Sequence, residues 1–218
     1  MKTGGWLIGV IRLCVIAAGM LVTSGPRAAE RLVTIVALGD SLTAGYGLAA
    51  NEAFPAQLQR ALSAKGLPAT VANAGVSGDT ASGGLARLDW SVPDGTDAVI
   101  LELGANDALR GFDPAITRKA LAAMLERLQT RKIPVLLCGM LAPPNLGAEY
   151  GRAFSSIYPD LAAHTGAILY PFFLAGVAAD PKLNQSDGLH PTAAGVAVIV
   201  NRILPQVQEL IARAREPH

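Results

Sequence analysis

Short apolar runs recur along the chain and alternate with longer segments that are apolar on one side only. The run at 32–38, Leu-Val-Thr-Ile-Val-Ala-Leu, is rich in β-branched residues and ends at Gly39, which is typical of a buried strand. Four later runs have a similar character. The predicted strands cover residues 32–38, 69–72, 97–103, 133–138 and 167–170. Their apolar content favours a sheet that is covered on both faces.

The segments between these runs carry apolar residues at helical spacing. Asp113 and Pro114 suit the N-cap and the first position of a helix,. One face of that helix carries Ile116, Ala120, Met124 and Leu128. Further helices are predicted over residues 54–65, 149–164 and 192–214. Pro205 is expected to bend or break the last of them, because proline cannot donate the backbone hydrogen bond of a helix interior.

Strands that alternate with helices predict a parallel sheet with helices on both faces. Ligands of such sheets bind beyond the carboxyl ends of the strands. No linker, internal repeat or low-complexity segment interrupts the pattern. A single domain over residues 30–218 is therefore expected.

The first 29 residues resemble a signal peptide for export, with Lys2 at the start, a mostly apolar stretch from Trp6 to Val22 and small residues after it,. The cleavage site stays open between a position after Ser24 and one after Ala29. A retained membrane anchor is the alternative, although the unbroken apolar stretch is short for a span of about 20 residues. We expect a secreted, periplasmic protein.

Composition narrows the range of partners. The formal net charge is +1, and without Lys2, Arg12 and Arg27 there are 15 basic side chains against 17 acidic ones. This near balance gives no support to a nucleic-acid partner. Of the two Cys residues, Cys14 lies in the predicted signal peptide, so Cys138 would remain alone and no intrachain disulfide is expected,. The three His residues show no paired spacing, so no metal site is expected,. We expect a monomer that needs no cofactor.

Four polar, glycine-containing segments follow the predicted strands or precede the last helix. They are Gly39-Asp-Ser-Leu42, Gly75-Val-Ser-Gly-Asp-Thr80, Gly104-Ala-Asn-Asp107 and Asp187-Gly-Leu-His-Pro191. Because the carboxyl ends of parallel strands share one edge, these segments are expected to converge. The nearby Gly45-Tyr-Gly-Leu-Ala-Ala50 matches the letters of a dinucleotide-binding fingerprint. It starts several residues beyond the first strand, however, and the acidic residue expected about 20 positions further on is absent,.

The residue types in these segments suit acyl transfer. Ser41 would be the nucleophile and His190 its base, and Asp187, three residues earlier, would hold the imidazole. The oxyanion of a tetrahedral intermediate needs preorganised donors. The backbone N–H groups of Ser41 and Gly78 and the amide of Asn106 could supply them.

Together these four segments resemble those of the GDSL (SGNH) hydrolase family, closest to its periplasmic thioesterase, lysophospholipase and arylesterase branch. The likeness extends to Ala37–Gly47 and to Gly83–Leu88. The resemblance implies a flavodoxin-like, three-layer α/β/α sandwich with a five-stranded parallel sheet. It also implies the roles just described for Ser41, Gly78, Asn106, Asp187 and His190.

The substrate is expected to be a small acyl ester or thioester. Leu109, Phe112, Leu141 and Leu146 lie in loops after Asn106 and after the fourth strand, and they would suit an apolar acyl chain. Two alternatives stay open: a carbohydrate O-deacetylase on the same scaffold, and a binding protein that keeps the fold without activity. A deacetylase would favour polar and aromatic side chains, whereas aromatics are only 5% of this chain.

Overall fold

The computed structural model describes residues 1–3 and 31–216. Apart from its first three positions, the predicted signal peptide lies outside the described residues. Within 31–216 the strands are β1 (Val33–Gly39), β2 (Ala69–Gly75), β3 (Ala98–Glu102), β4 (Val135–Cys138) and β5 (Ile168–Tyr170). The helices of the same range are α1 (Ser41–Ala44), α2 (Phe54–Ala64), α3 (Ala81–Ala86), α4 (Leu88–Ser91), α5 (Ala105–Leu109), α6 (Pro114–Thr130), α7 (Ala148–Ser155), α8 (Ile157–Thr165) and α9 (Ala193–Arg215). None of the described helices is both long and apolar enough to cross a membrane.

The five strands form one sheet in the order β2-β1-β3-β4-β5, and every neighbouring pair is parallel. The chain moves from β1 to one edge at β2 and then returns past β1 to β3. Right-handed crossovers place the connecting helices of these two steps on opposite faces. Accordingly, α2 packs with α9, while α3 and α8 both pack with α6. The predicted three-layer α/β/α fold is confirmed.

The core follows from the apolar strands. Every residue of β3 and β4 is buried, whereas β2 is largely accessible because it forms one edge of the sheet. Strands buried on both faces carry no polar alternation, which explains the continuous apolar runs in the sequence. One polar side chain breaks this rule. Glu102, the last residue of β3, is fully buried beneath the edge where the polar loops gather.

One predicted helix is two helices in the structure. Residues 149–164 were expected as a single element, but α7 ends at Ser155 and α8 begins at Ile157. Pro159 accounts for the break: its ring would collide with the carbonyl of Ser155, four residues earlier, in a continuous helix. In the first turn of α8 the same proline is tolerated, since the N–H it lacks would have no partner there.

The last helix is continuous. α9 runs from Ala193 to Arg215 with Pro205 inside it, so of the two predicted effects of this proline, a bend or a break, the break does not occur. Pro205 is exposed, while the opposite side of α9 is buried on both sides of that position. That buried stripe comprises Val196, Ile199, Val200, Ile203, Leu204, Val207, Leu210, Ile211 and Ala214. Packing of this stripe compensates for the missing hydrogen bond of the proline.

Candidate active site

The nucleophile candidate lies at a tight strand-to-helix junction. Ser41 is the first residue of α1 and lies two residues after Gly39, the last residue of β1. A Cβ at Gly39 would overlap the Thr43 hydroxyl and the Glu102 carboxyl group. Asp40 accepts a hydrogen bond from the N–H of Leu42 at 3.0 Å and so caps α1,. The short helix thereby presents the Ser41 hydroxyl at the carboxyl end of the sheet.

His190 joins Ser41 to Asp187. Its Nε2 lies 2.9 Å from the Ser41 Oγ, and its Nδ1 lies 2.7 Å from the Asp187 Oδ2. The other carboxylate oxygen of Asp187 accepts the backbone N–H groups of Leu189 at 2.9 Å and His190 at 3.0 Å. The backbone N–H of His190, the imidazole and the N–H of Leu189 together lower the pKa of Asp187 to about 2. An ionised Asp187 holds the Nδ1 proton and leaves Nε2 as an acceptor.

Three N–H donors face the same edge without partners among residues 31–216. Ser41 begins a helix, so its backbone N–H has no intrahelical acceptor,. The N–H of Gly78 makes no hydrogen bond to any residue within 31–216, and the carbonyl of Gly78 accepts from Arg110 at 2.8 Å. The Asn106 side chain donates one N–H to Asp40 at 3.1 Å, which leaves its second N–H available. Such donors are what an oxyanion requires.

A pair of buried carboxyl groups lies below these donors. Burial raises the pKa of Asp40 to about 6, although hydrogen bonds from Leu42 and Asn106 oppose the rise. Glu102 accepts the Thr43 hydroxyl at 2.7 Å and the Asp40 N–H at 3.3 Å through one oxygen. Its other oxygen has no hydrogen-bond partner in the described part of the chain. Burial, followed by the negative charge of Asp40, raises the pKa of Glu102 well above its usual value.

An apolar cavity of roughly 510 Å³ opens beside Ser41, Asn106 and His190. Leu109 and Leu141, both predicted to contact substrate, line it. Its other apolar walls include Met140, Pro143, Pro144, Phe172, Leu174, Ala178, Ala179 and Leu189. A concave, largely apolar site with a few convergent polar groups suits a small ligand with an apolar portion.

Phe112 and Leu146, the other two predicted substrate contacts, are not part of the cavity wall. Gly111, at a φ of +65°, turns the chain after α5, and the Phe112 carbonyl then accepts the Tyr150 hydroxyl at 2.7 Å. Leu146 ends a 3₁₀ turn and approaches this bend. Both residues therefore lie outside this cavity, and their contact with substrate stays a prediction.

Two residues near the site, Arg87 and Gln185, make contacts that the sequence analysis did not predict. Arg87 donates to Asp79 at 2.7 Å and to the carbonyls of Gly39 and Ala74 at 2.9 Å each, which ties the ends of β1 and β2 to the following loop. Gln185 donates to the carbonyl of Tyr46 at 2.8 Å. The family-like block at 83–88 pointed to Arg87 without a role. Nothing in the sequence pointed to the Gln185 contact.

Among the described residues, no group of three His, Cys, Asp or Glu side chains is placed to hold a metal ion. Cys138, the Cys residue within 31–216, is buried in β4, and burial raises the pKa of its thiol well above the usual value. A thiol of that kind is inert as a nucleophile. The candidate nucleophile at this edge of the sheet is therefore Ser41 and not Cys138.

Known proteins match the chain over most of its length. It is 39% identical over 179 residues to esterase TesA of Pseudomonas aeruginosa, a match that covers 82% of this chain and 89% of the relative. Thioesterase 1/protease 1/lysophospholipase L1 of Escherichia coli K12 is also 39% identical over 179 residues, covering 82% and 85%. The crystal structure of AlinE4, an SGNH-hydrolase family esterase, superposes with a TM-score of 0.70 at 50% identity, covering 83% of this chain and 97% of that one.

The sequence profile of a protein family also matches most of the chain. Residues 37–198 fit the sequence profile of the GDSL-like lipase/acylhydrolase family. That range begins within β1 and ends within α9, so it includes Ser41, Gly78, Asn106, Asp187 and His190. The family predicted from the four polar segments is confirmed: the chain belongs to the GDSL-like lipase/acylhydrolase family.

Proposed function

We propose that this chain is a serine hydrolase that cleaves small acyl esters and thioesters through a Ser41-His190-Asp187 triad and an acyl-enzyme. The observation that carries the proposal is the continuous hydrogen-bonded line from the Asp187 carboxylate through the His190 imidazole to the Ser41 hydroxyl, at 2.7 and 2.9 Å. Distances of this order are those at which a base takes the proton of a nucleophile.

The first half of the reaction forms the acyl-enzyme. The Ser41 oxygen attacks the acyl carbonyl carbon while His190 Nε2 takes the hydroxyl proton, and Asp187 stabilises the resulting imidazolium. The carbonyl oxygen becomes an oxyanion among the N–H groups of Ser41, Gly78 and Asn106. When the tetrahedral intermediate collapses, its bond to the alcohol or thiol breaks, and His190 returns the proton to that leaving group.

The second half releases the acid. Water attacks the acyl carbon of the Ser41 ester, and His190 takes one of its protons. The same three N–H donors stabilise the second oxyanion. Collapse breaks the bond to Ser41, which recovers its proton from His190. No cofactor takes part in this scheme.

The substrate class follows from the wall of the cavity. Leu109, Leu141 and their apolar neighbours border the space beside Ser41, where the acyl chain of a substrate would lie. The relatives support the same chemistry, since their names include esterase, thioesterase and lysophospholipase. A carbohydrate deacetylase would instead need hydrogen-bonding groups for sugar hydroxyls along this wall.

The test compares p-nitrophenyl esters from acetate to palmitate, with the wild type beside Ser41→Ala. We expect hydrolysis that favours chains longer than acetate, and a loss of at least about a thousandfold in kcat for Ser41→Ala. Circular dichroism of both proteins controls for folding. A folded Ser41→Ala variant with wild-type activity would exclude the proposed nucleophile. Activity confined to acetate would favour the deacetylase, and an inactive, folded wild type would favour a binding protein.

We also propose that the chain is exported to the periplasm and that its N-terminal segment is removed on export. Lys2 and the apolar stretch from Trp6 to Val22 support this proposal,. The mass of the protein recovered from the periplasm of a bacterial host tests it. Cleavage after Ser24 or after Ala29 is the expected result, and a full-length mass would contradict removal.

A further inference from the structure

The triad leaves one motion of His190 uncontrolled. Its hydrogen bonds to Ser41 and Asp187 both lie at ring nitrogens, and hydrogen bonds to ring nitrogens run close to the plane of the imidazole. Two such bonds fix the ends of an axis through the ring but allow the ring to tilt about it. The side chains of Asp187 and His190 are 37% and 21% exposed, so part of the imidazole surface is open to solvent. A contact on the face of the ring would restrain the tilt.

The structure places an aromatic ring there. The centroids of the Tyr46 and His190 rings lie 4.6 Å apart at an interplanar angle of 37°. Pairs of aromatic rings attract one another at such distances. The Tyr46 ring therefore restrains the degree of freedom that the two hydrogen bonds leave open.

The loop backbone holds Tyr46 at this position from both sides. The N–H groups of Gly45 and Tyr46 both donate to the carbonyl of Ser41, at 3.0 and 3.1 Å. The carbonyl of Tyr46 accepts from the Gln185 side chain at 2.8 Å, and the backbone N–H of Gln185 donates to the carbonyl of His190 at 2.7 Å. The aromatic contact is thus built into a link between the nucleophile and the base.

The two glycines beside Tyr46 serve the same purpose. Gly45 and Gly47 have φ values of +84° and +73°, which a residue with a side chain adopts only at a cost. A Cβ at Gly47 would also overlap the amide of Gln185. This accounts for the Gly-Tyr-Gly string that resembled part of a dinucleotide fingerprint: it turns the chain so that Tyr46 faces His190.

Among the described residues, the Tyr46 side chain shows no other structural role. It is 53% exposed, its hydroxyl makes no hydrogen bond within residues 31–216, and it is not part of the cavity wall. Tyr46 is neither part of the core nor part of the cavity wall, so its contact with the His190 imidazole is the side-chain interaction to which a role can be assigned.

We propose that Tyr46 is a positioning residue: its ring holds the His190 imidazole in the orientation that reaches both Ser41 and Asp187, and its π face stabilises the imidazolium formed during acyl transfer. The inference rests on the proposed function for its effect on rate. Cations near aromatic faces are stabilised by the ring quadrupole, and more so as water is displaced. Both effects come from the aromatic ring of Tyr46 and not from its hydroxyl group.

The test uses Tyr46→Phe, Tyr46→Leu and the control Trp90→Leu, an 83% exposed aromatic outside the site. Tyr46→Leu is expected to lower kcat for a p-nitrophenyl ester about fivefold, with KM nearly unchanged, because a ring face at an exposed site contributes that much. Tyr46→Phe and Trp90→Leu are expected to keep wild-type kcat. Proton NMR supplies a second readout, since loss of the ring current moves the His190 ring resonances in Tyr46→Leu alone.

Each contrary outcome has one meaning. A Tyr46→Leu variant with wild-type kcat, or a Tyr46→Phe variant as slow as Tyr46→Leu, would overturn the role of the ring. A change confined to KM would make Tyr46 a substrate contact instead. His190 resonances that stay in place in folded Tyr46→Leu would exclude the contact itself. Failure of the proposed function is distinguishable, because wild type would then lack Ser41-dependent hydrolysis while the ring-current shift remained measurable.

Discussion

Leu109 and Leu141 provide apolar wall to the cavity beside Ser41, and both are about half exposed, at 50% and 53%. An acyl chain that covers these side chains removes their surface and its own from water, which favours binding in proportion to the area buried. Phe112 and Leu146 are apolar residues of neighbouring loops outside that wall. The four side chains therefore form two matched pairs for a test of where the acyl chain lies.

We expect Leu109→Ala and Leu141→Ala each to lower kcat/KM for p-nitrophenyl octanoate about fivefold, since truncation removes roughly 1 kcal/mol of apolar contact from a half-exposed side chain. Hydrolysis of the acetate ester should change little, because its short chain does not reach the wall. Phe112→Ala and Leu146→Ala are the controls and should match wild type on both esters. Equal losses in all four variants would place the acyl chain elsewhere.

Residue type and order predicted much of the site, since Ser41, Asn106, Asp187 and His190 carry chemistry that few other residues can supply. Their convergence follows from their places beside strand ends. The contact between Tyr46 and His190 was not predictable in that way. It depends on the backbone path through two glycines, and nothing in the residue pattern specifies which ring face an aromatic side chain will meet.

At the scale of single elements, two prolines show what periodicity can and cannot predict. Pro159 separates α7 from α8, whereas Pro205 lies within a continuous α9. The local rule is the same for both, so the outcome depends on tertiary packing. The buried stripe of α9 continues on both sides of Pro205 and holds the helix together,. The sequence pattern does not show these tertiary contacts, so it cannot predict whether their packing energy offsets the hydrogen bond lost at Pro205.

Pro205→Ala should therefore stabilise the protein. Alanine restores an N–H to the helix and removes the clash with the carbonyl of residue 201, and the exposed position leaves room for it,. The proline also restricts the unfolded chain, which offsets part of the gain, so we expect an increase of about 1–2 kcal/mol in the free energy of unfolding. Urea denaturation measures it. Gln208→Ala, at another exposed position of α9, should shift stability far less, and an equal shift would refute the role of the proline.

At the scale of the whole molecule, the buried acids below the site make stability depend on pH. Asp40 and Glu102 both have a raised pKa in the folded protein, mainly through burial. A carboxyl group of this kind binds its proton more firmly folded than unfolded, so the free energy of unfolding falls as pH rises above the unfolded pKa. Asp187 acts in the opposite sense: with its pKa lowered to about 2, its contribution is lost only as pH falls below about 4.

The Glu102→Gln variant isolates the contribution of Glu102 to the pH dependence of stability from those of Asp40 and Asp187. Glutamine keeps the shape and can still accept from Thr43, but it has no proton to lose. The difference in unfolding free energy, variant minus wild type, should rise with pH above about 4.5, at up to about 1.4 kcal/mol per pH unit, until Glu102 ionises in the folded protein. Urea titrations from about pH 5 to about pH 9 follow it.

Glu126→Gln supplies the control for that series, because Glu126 is exposed on α6. A difference for Glu102→Gln that does not vary with pH would mean that Glu102 carries the same charge folded and unfolded. The unpartnered oxygen of Glu102 makes that outcome unexpected, since an ionised carboxylate there would lack the hydrogen bonds that a buried charge requires,. A slope confined to Glu102→Gln would establish that Glu102, at the end of β3 beside Asp40 and Thr43, is a neutral acid in the folded protein over the pH range of the slope,.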